Sequence, residues 1–302
     1  MGNTHFTGRL YQLGGVPVPL DANIPFGPNS RVFFVDTTNG SDGNDGLTPE
    51  HAKATITNAI AQCTANRRDV VYVLKWATDN GETWPIPMSV AGVTLLGMQA
   101  GGPHMSSMAY ITSVGNYGAI TISANYCRVQ HLYLACASDS YDAIGFSGTP
   151  GGTGIIECLF GTCKDAVGGG ANATYNIGWT SEISGNIFTQ QVADHGIYVY
   201  NPANILIANN MFSRVQGDAA LEIHGGAGYP RVLYNYFSLK SDLAGGAITC
   251  GATNYGGLFM GNQANYGNTA MSNNPYLDPG TTYKNDWMLN YYGITATQPA
   301  TS

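Results

Sequence analysis

The chain has 302 residues and a net charge of −7 at pH 7. Hydrophobic residues make up 44% and charged residues only 10%, against roughly a quarter charged in an average soluble domain, so the surface is expected to be polar but uncharged. Forty Gly and nineteen Tyr in an aromatic-rich chain argue against disorder, and an acidic balance with no basic run longer than Arg67-Arg68 argues against a nucleic-acid partner.

Residues 1–30 carry Gly14-Gly15, Pro17, Pro19, Pro25 and Pro28 at short intervals. Such spacing forbids a regular helix or a central strand. An extended arm is expected, with His5, Phe6, Leu10 and Tyr11 as its partner-binding side chains. The segment lacks an apolar core of signal-peptide length, so an ordinary leader is not expected. No stretch approaches the ~18 apolar residues of a membrane span, and no membrane partner is expected.

RVFFV (31–35) reads as a strand, and DTTNGSDGNDGLTPEHA after it is dense turn chemistry. Its acids invite a calcium reading, but no frame fits the EF-hand register, and a structural turn is favoured. A capping helix over about 49–65 follows, with Thr48 as cap and Pro49 at its first position. Ile56, Ala59, Ile60 and Cys63 give it one apolar face. VVYVL (70–74) is an apolar strand.

From there the chain repeats. A six-residue unit, apolar-x-x-(Asn/Cys/Leu)-x-apolar, occurs at 93–98, 129–134, 155–160, 183–188, 207–212, 232–237 and, weakly, 259–264. The steps are 36, 26, 28, 24, 25 and 27 residues. A second apolar unit (Ile144/Phe146, Val167, Ile197/Val199, Leu221/Ile223, Ile248/Cys250) recurs at steps of 23, 30, 24 and 27. Two strand phases sharing one period, without a second helix or a leucine-rich consensus, predict a parallel β-helix whose coils stack ~4.8 Å apart. Asn186, Asn210, Asn235 and Asn262 should then form an amide ladder, and Phe160, Phe188, Phe212 and Phe237 a core aromatic stack. Leu132 and Cys158 hold the ladder position in the earlier coils.

FFVDTTNGSDGNDGLTPEHAKATITNAIAQCTANRRDVVYVL, with the coils behind it, resembles the N-terminal cap of right-handed parallel β-helix proteins of the pectin-lyase-like superfold. More narrowly, the chain is similar to small β-helix proteins of tailed-bacteriophage structural modules, and MGNTHFTGRL to virion-protein arms. The resemblance covers about 31–265 and implies the fold more strongly than any function, since the superfold hosts lyases, hydrolases, tailspikes and inert spacers. It implies a structural role: a head-decoration protein, made in the host cytoplasm, carried on the virion head surface as a homotrimer. Its partner would be the major capsid protein or another shell protein, and it would need no cofactor.

The alternative is a tail protein that binds or degrades polysaccharide. With Ile197, Leu221 and Ile248 pointing inward, Tyr198, Glu222 and Thr249 should form one outward column, with Tyr200 and His224 in the next. Asp194, His195, Glu222 and His224 are the candidate catalytic groups, and Tyr198 and Tyr200 the candidate sugar-stacking ones. The polygalacturonase-like pattern is incomplete, since Asp194-His195-Gly196 is a fragment and Asp-Asp is missing. The basic residues that a lyase would need are scarce: Lys164, Arg214, Arg231 and Lys240. A secreted carbohydrate-binding β-helix is a third reading.

The six Cys include no CxxC, and no metal site is expected. Buried free thiols are favoured, although the spacing also permits a Cys158–Cys163 or Cys127–Cys136 bridge. From about 266 to 302 the period is lost. That segment is expected to cap the open end, with Trp287, Tyr291 and Tyr292 packed on the last coil or on a partner.

Overall fold

The computed structural model describes residues 29–75, 81–98, 108–169, 177–189, 191–217, 219–226, 228–239, 246–251, 253, 256–266, 276–278, 285–292 and 295–296, with the backbone of 12–13 and 16–17. Most of the arm 1–30, with His5, Phe6, Leu10 and Tyr11, lies outside the described residues, apart from an antiparallel pairing of Gln12–Leu13 with Val16–Pro17. The rest is a parallel β-helix of three sheets, with ten, nine and eight strands.

In the ten-strand sheet, Leu95, Val129, Ile155, Ile183, Ile207, Val232, Phe259 and Trp287 succeed one another in register. In the eight-strand sheet, Ile120, Ile144, Val167, Ile197, Leu221, Ile248 and Tyr276 do the same. These side chains form one continuous core. β-branched and aromatic residues at alternate positions satisfy strand propensity and burial together, and each such burial stabilises the fold by roughly 1.5–3 kcal/mol.

The register shifts the first repeat: Leu95, not Val93, pairs with Val129. The expected helix is also broken. Pro49–His51 is a single 3-10 turn and the α-helix is only Ile56–Ala61. Between them Asp42 Oδ1 accepts the Ala54 and Thr55 amides at 3.1 and 3.0 Å, which holds the backbone extended. Thr55 then caps Asn58, and the Glu82 carboxylate takes the Ile56 and Thr57 amides. The Asp-rich turn is thus spent on its own backbone. Asp36 accepts Thr38 and Asn39, and Lys53 donates to the Asp42 carbonyl.

The amides stack in the core. Asn186 Nδ2 donates to Ile155 O at 2.9 Å and to Asn210 Oδ1 at 3.0 Å, and Asn210 does the same toward Ile183 and Asn235. Asn262 donates in turn to Asn290, which adds a rung beyond the sequence reading. Phe160, Phe188, Phe212 and Phe237 lie with successive ring centroids 5.1, 4.6 and 4.5 Å apart. The coil therefore runs past 265. Asp286–Met288 joins the ten-strand sheet, and Trp287, expected on the last coil or on a partner, is 8% exposed and stacked 4.2 Å from Phe259 in the coil. Its indole N–H donates to Asp278. The six cysteines are free, so neither bridge forms, and burial pushes the Cys158 thiol up to about 12.

Two corners of the coil are left-handed. Asn66, Gly92, Tyr126, Gly152, Thr180, Asn204, Tyr229 and Gly256 succeed one another along one corner, each with φ between 55° and 79°. From Asn66 to Asn204 each N–H there bonds a carbonyl of the next coil, as in Gly92 to Asn125 and Tyr126 to Gly151. Tyr126 lies flat over Gly152, where any Cβ would meet its ring.

Candidate functional site

The expected outward columns fall on the eight-strand sheet. Tyr198 pairs with Glu222 and Tyr200 with His224, and Thr249 continues the first column. The same register aligns the residues just before the strands. Asp142, Asp165 and His195 each lie two positions ahead of Ile144, Val167 and Ile197, which are themselves paired in sequence. An Asp, an Asp and a His thus occupy one corner position in three successive coils.

His195 is the centre of the network and is 7% exposed. Its Nδ1 lies 3.0 Å from Asp165 Oδ1 and 3.4 Å from Asp194 Oδ1, and its Nε2 lies 3.2 Å from Glu222 Oε2. The Nε2 contact is close but poorly aligned, so that atom has no good hydrogen bond. Asp165 Oδ1 also accepts the His195 backbone N–H at 2.9 Å. Burial alone would lower the imidazole pKa. The hydrogen bond to Asp165 and the close Glu222 carboxylate, with the charges of Asp165 and Asp194, outweigh burial and push it up to about 10. His195 is therefore an imidazolium at neutral pH. It cannot serve as the general base that its place in the motif suggests.

The partners follow. The close His195 imidazolium holds Glu222 below its usual range, against the effect of burial. Burial would raise Asp165, but the bond to His195 and the neighbouring charges hold it low. Lys164 Nζ lies 3.1 Å from Asp165 and 3.8 Å from Asp194. His224 Nδ1 lies 3.2 Å from Glu222 Oε1. The Tyr198 ring sits between the imidazoles, 5.1 Å from that of His195 and 6.3 Å from that of His224, and Tyr200 is 5.3 Å from His224.

Asp142 is the functional candidate that the sequence reading missed. Burial, then the charge of Asp165, push its carboxyl up to about 7. It occupies the space in front of Gly168, while nothing stands within 4 Å of a Cβ placed on Gly145 one coil earlier. The sequence signal was the shared string Asp-Ala-apolar at 142–144 and 165–167, visible only once the coils are aligned. The face thus holds a carboxyl half-protonated near neutral pH, an ionised Glu222 and a bare surface at Gly145.

Asp165, Asp194 and His195 could offer an oxygen, an oxygen and a nitrogen within 4.8 Å of one another. The His195 and Lys164 cations already balance these carboxylates, so the donor set needs no metal ion for charge. Tyr291 lies on the outside of the nine-strand sheet and is exposed. Tyr292 pairs with Ala264 through its backbone, and its side chain lies outside the described residues.

No family model and no curated protein matches the sequence. Among solved structures, a GH136 lacto-N-biosidase from Eubacterium ramulus aligns over 87% of this chain and 68% of its own, at 8% identity and a TM-score of 0.26. A likeness that weak carries no argument about activity.

Proposed function

We propose that the chain is a structural component of a tailed-bacteriophage virion: a head-decoration protein that assembles as a homotrimer and is attached to a shell protein through residues 1–30. The observation that carries the assembly reading is one outward column of the nine-strand sheet. Tyr110, Tyr133, Leu159, Ile187, Met211, Tyr236, Gln263 and Tyr291 stack in register, and none is charged. Tyr110 and Tyr133 stack at 4.6 Å, and Tyr133 and Leu159 form a separate apolar cluster on the outside of the coil. Tyr110, Met211, Tyr236 and Tyr291 are exposed. Tyr133 and Leu159 are already buried within the column, so the apolar surface left for a second copy is the adjacent pair Met211 and Tyr236, with Tyr110 and Tyr291 toward either end. The phage assignment rests on the sequence resemblance and the arm. Labelling the protein in intact particles tests it: copies over the capsid support head decoration, and copies confined to the tail, or none, sink it.

A second reading is favoured by one observation, the carboxyl pair with separated acidities. Asp142 near neutrality and Glu222 held ionised, beside the open surface at Gly145, match the division of labour between a general acid and a carboxylate partner in glycoside cleavage. Tyr198 would then carry the sugar ring. Hydrolysis of a host-surface polysaccharide that disappears in both Asp142→Asn and Glu222→Gln would establish this reading. Turnover that survives both substitutions, or no turnover at all, would remove it.

A further inference from the structure

Away from a three-fold axis, every contact in a closed trimer joins one patch of a protomer to a different patch of its neighbour. The outer column of the nine-strand sheet supplies one such patch. The second left-handed corner, between the ten-strand and nine-strand sheets, lies directly beside that column. Tyr234 and Leu289 stand at this corner, one residue ahead of the ladder residues Asn235 and Asn290, and Tyr236 and Tyr291 stand one residue past them.

The far side of the same corner is also apolar. Leu233, Met260 and Met288 succeed one another in register at the edge of the ten-strand sheet. They point outward, because Val232, Phe259 and Trp287 beside them fill the core. Met288 is 51% exposed, Tyr234 56% and Leu289 63%. The Tyr234 ring lies over Gly261, the corner residue between it and Leu289, so the apolar surface is continuous across three coils. One column further out, Arg231 and Asp286 flank Leu258 and are exposed. An apolar centre with a charged rim is the anatomy of a protein contact.

Leu289 gives this surface its direction. Earlier coils place Glu157, Gly185 and Asn209 at the same corner, all with left-handed backbone. Leu289 holds φ at 51° there. A bulky apolar side chain is disfavoured in that conformation, where Gly and Asn are at home. It is disfavoured again by its exposure to water. Burial against another surface removes the second penalty, and no requirement of the coil itself calls for Leu at this place.

We propose that the Tyr234–Leu289 corner and the Leu233–Met260–Met288 column form the second subunit surface, which receives the Met211–Tyr236 pair and Tyr291 of a neighbouring copy. The proposal rests on the assembly role of the nine-strand column and names what that column packs against. The two flanks meet at one corner, so three corners converge on the axis and each nine-strand flank faces the next copy's ten-strand flank.

Sedimentation of the full chain and its variants tests it. The parent should be a trimer and Met288→Asp a monomer. Leu289→Asn places a residue suited to left-handed backbone at the corner, so the coil should keep its circular dichroism while association weakens about tenfold or more. Met211→Asp and Met288→Asp each keep the flank that the other has lost. Mixed, they should form a heterodimer that neither forms alone. A trimeric parent whose Met288→Asp and Leu289→Asn variants remain equally trimeric would overturn this surface and leave the nine-strand column standing. Two monomeric variants that give no heterodimer on mixing would overturn the pairing of the flanks. A monomeric parent would remove the assembly reading itself, and this proposal with it.

Discussion

The carboxyl group of Asp142 fills the space in front of Gly168, one coil further along the helix. That placement brings it beside Asp165 and out of water, and its acidity weakens toward about 7 from an ordinary value of 3.8. The folded protein then keeps a proton that the unfolded chain releases, so stability falls as pH rises from about 4 to about 7. Asp142→Asn should abolish this fall. Thermal melts of parent and variant across pH 4 to 8 should converge at the acid end, with the variant higher at the alkaline end. Parallel curves would show that Asp142 titrates normally.

His195 has the opposite linkage. Its folded value of about 10 exceeds its ordinary 6.5, so its contribution is complete below about pH 6.5 and is lost as pH rises through about 10. Replacing it with Asn takes the imidazolium from both carboxylates, leaving Asp165 with Lys164 and the residue-195 amide and Glu222 with His224. Breaking a buried ion pair from one side costs about 3 kcal/mol or more. Urea unfolding of His195→Asn at pH 7 should show a loss of that order. Part of it should be recovered toward pH 5, where the freed Asp165 takes up a proton. A loss below ~0.5 kcal/mol at pH 7 would place His195 outside the stabilising network.

The amide ladder predicts a gradient. Asn210 accepts two bonds from Asn186 and donates to Ile183 O and Asn235, whereas Asn290 accepts two from Asn262 and donates to Phe259 O. Each orphaned buried partner costs about 1–3 kcal/mol. Asn210→Ala should therefore cost about 3 kcal/mol or more, and Asn290→Ala distinctly less, because its coil lies at the end of the described ladder. Chemical denaturation of the two variants checks the order; equal losses would mean the rungs act independently of position.

The repeat was legible because the inward residues alternate strictly and the Asn–Phe spacing recurs in every coil from 183 to 237. It failed at the first coil because Val93 and Leu95 both point inward, and a period of two cannot distinguish a shift of two residues. It also stopped too early. Trp287 and Asn290 continue the columns and residues 287–292 fit the template, but they follow a segment rich in turn residues that hides the period. The outward pair Tyr198 and Glu222 could be placed by alternation. Asp142 and Asp165 could not, since they lie ahead of their strands and meet only through cross-coil register. The left-handed corner from Asn66 to Gly256 was not legible, because Asn, Tyr and Thr share its positions with Gly92, Gly152 and Gly256 and no single residue type marks it.

The outer column makes the last prediction. Met211 and Tyr236 neighbour each other across the nine-strand sheet, with their outward faces open to solvent, while Phe212 and Phe237 beside them fill the core. A charge at Met211 or Tyr236 should therefore leave the coil intact but oppose burial against a second copy, since an unpaired charge is costly in an apolar contact. Wild-type protein should sediment as a trimer whose melting temperature rises with concentration. Met211→Asp and Tyr236→Asp should sediment as monomers with unchanged circular dichroism and a melting temperature independent of concentration. A wild-type monomer at high concentration, or trimers that persist in both variants, would separate this column from any assembly role.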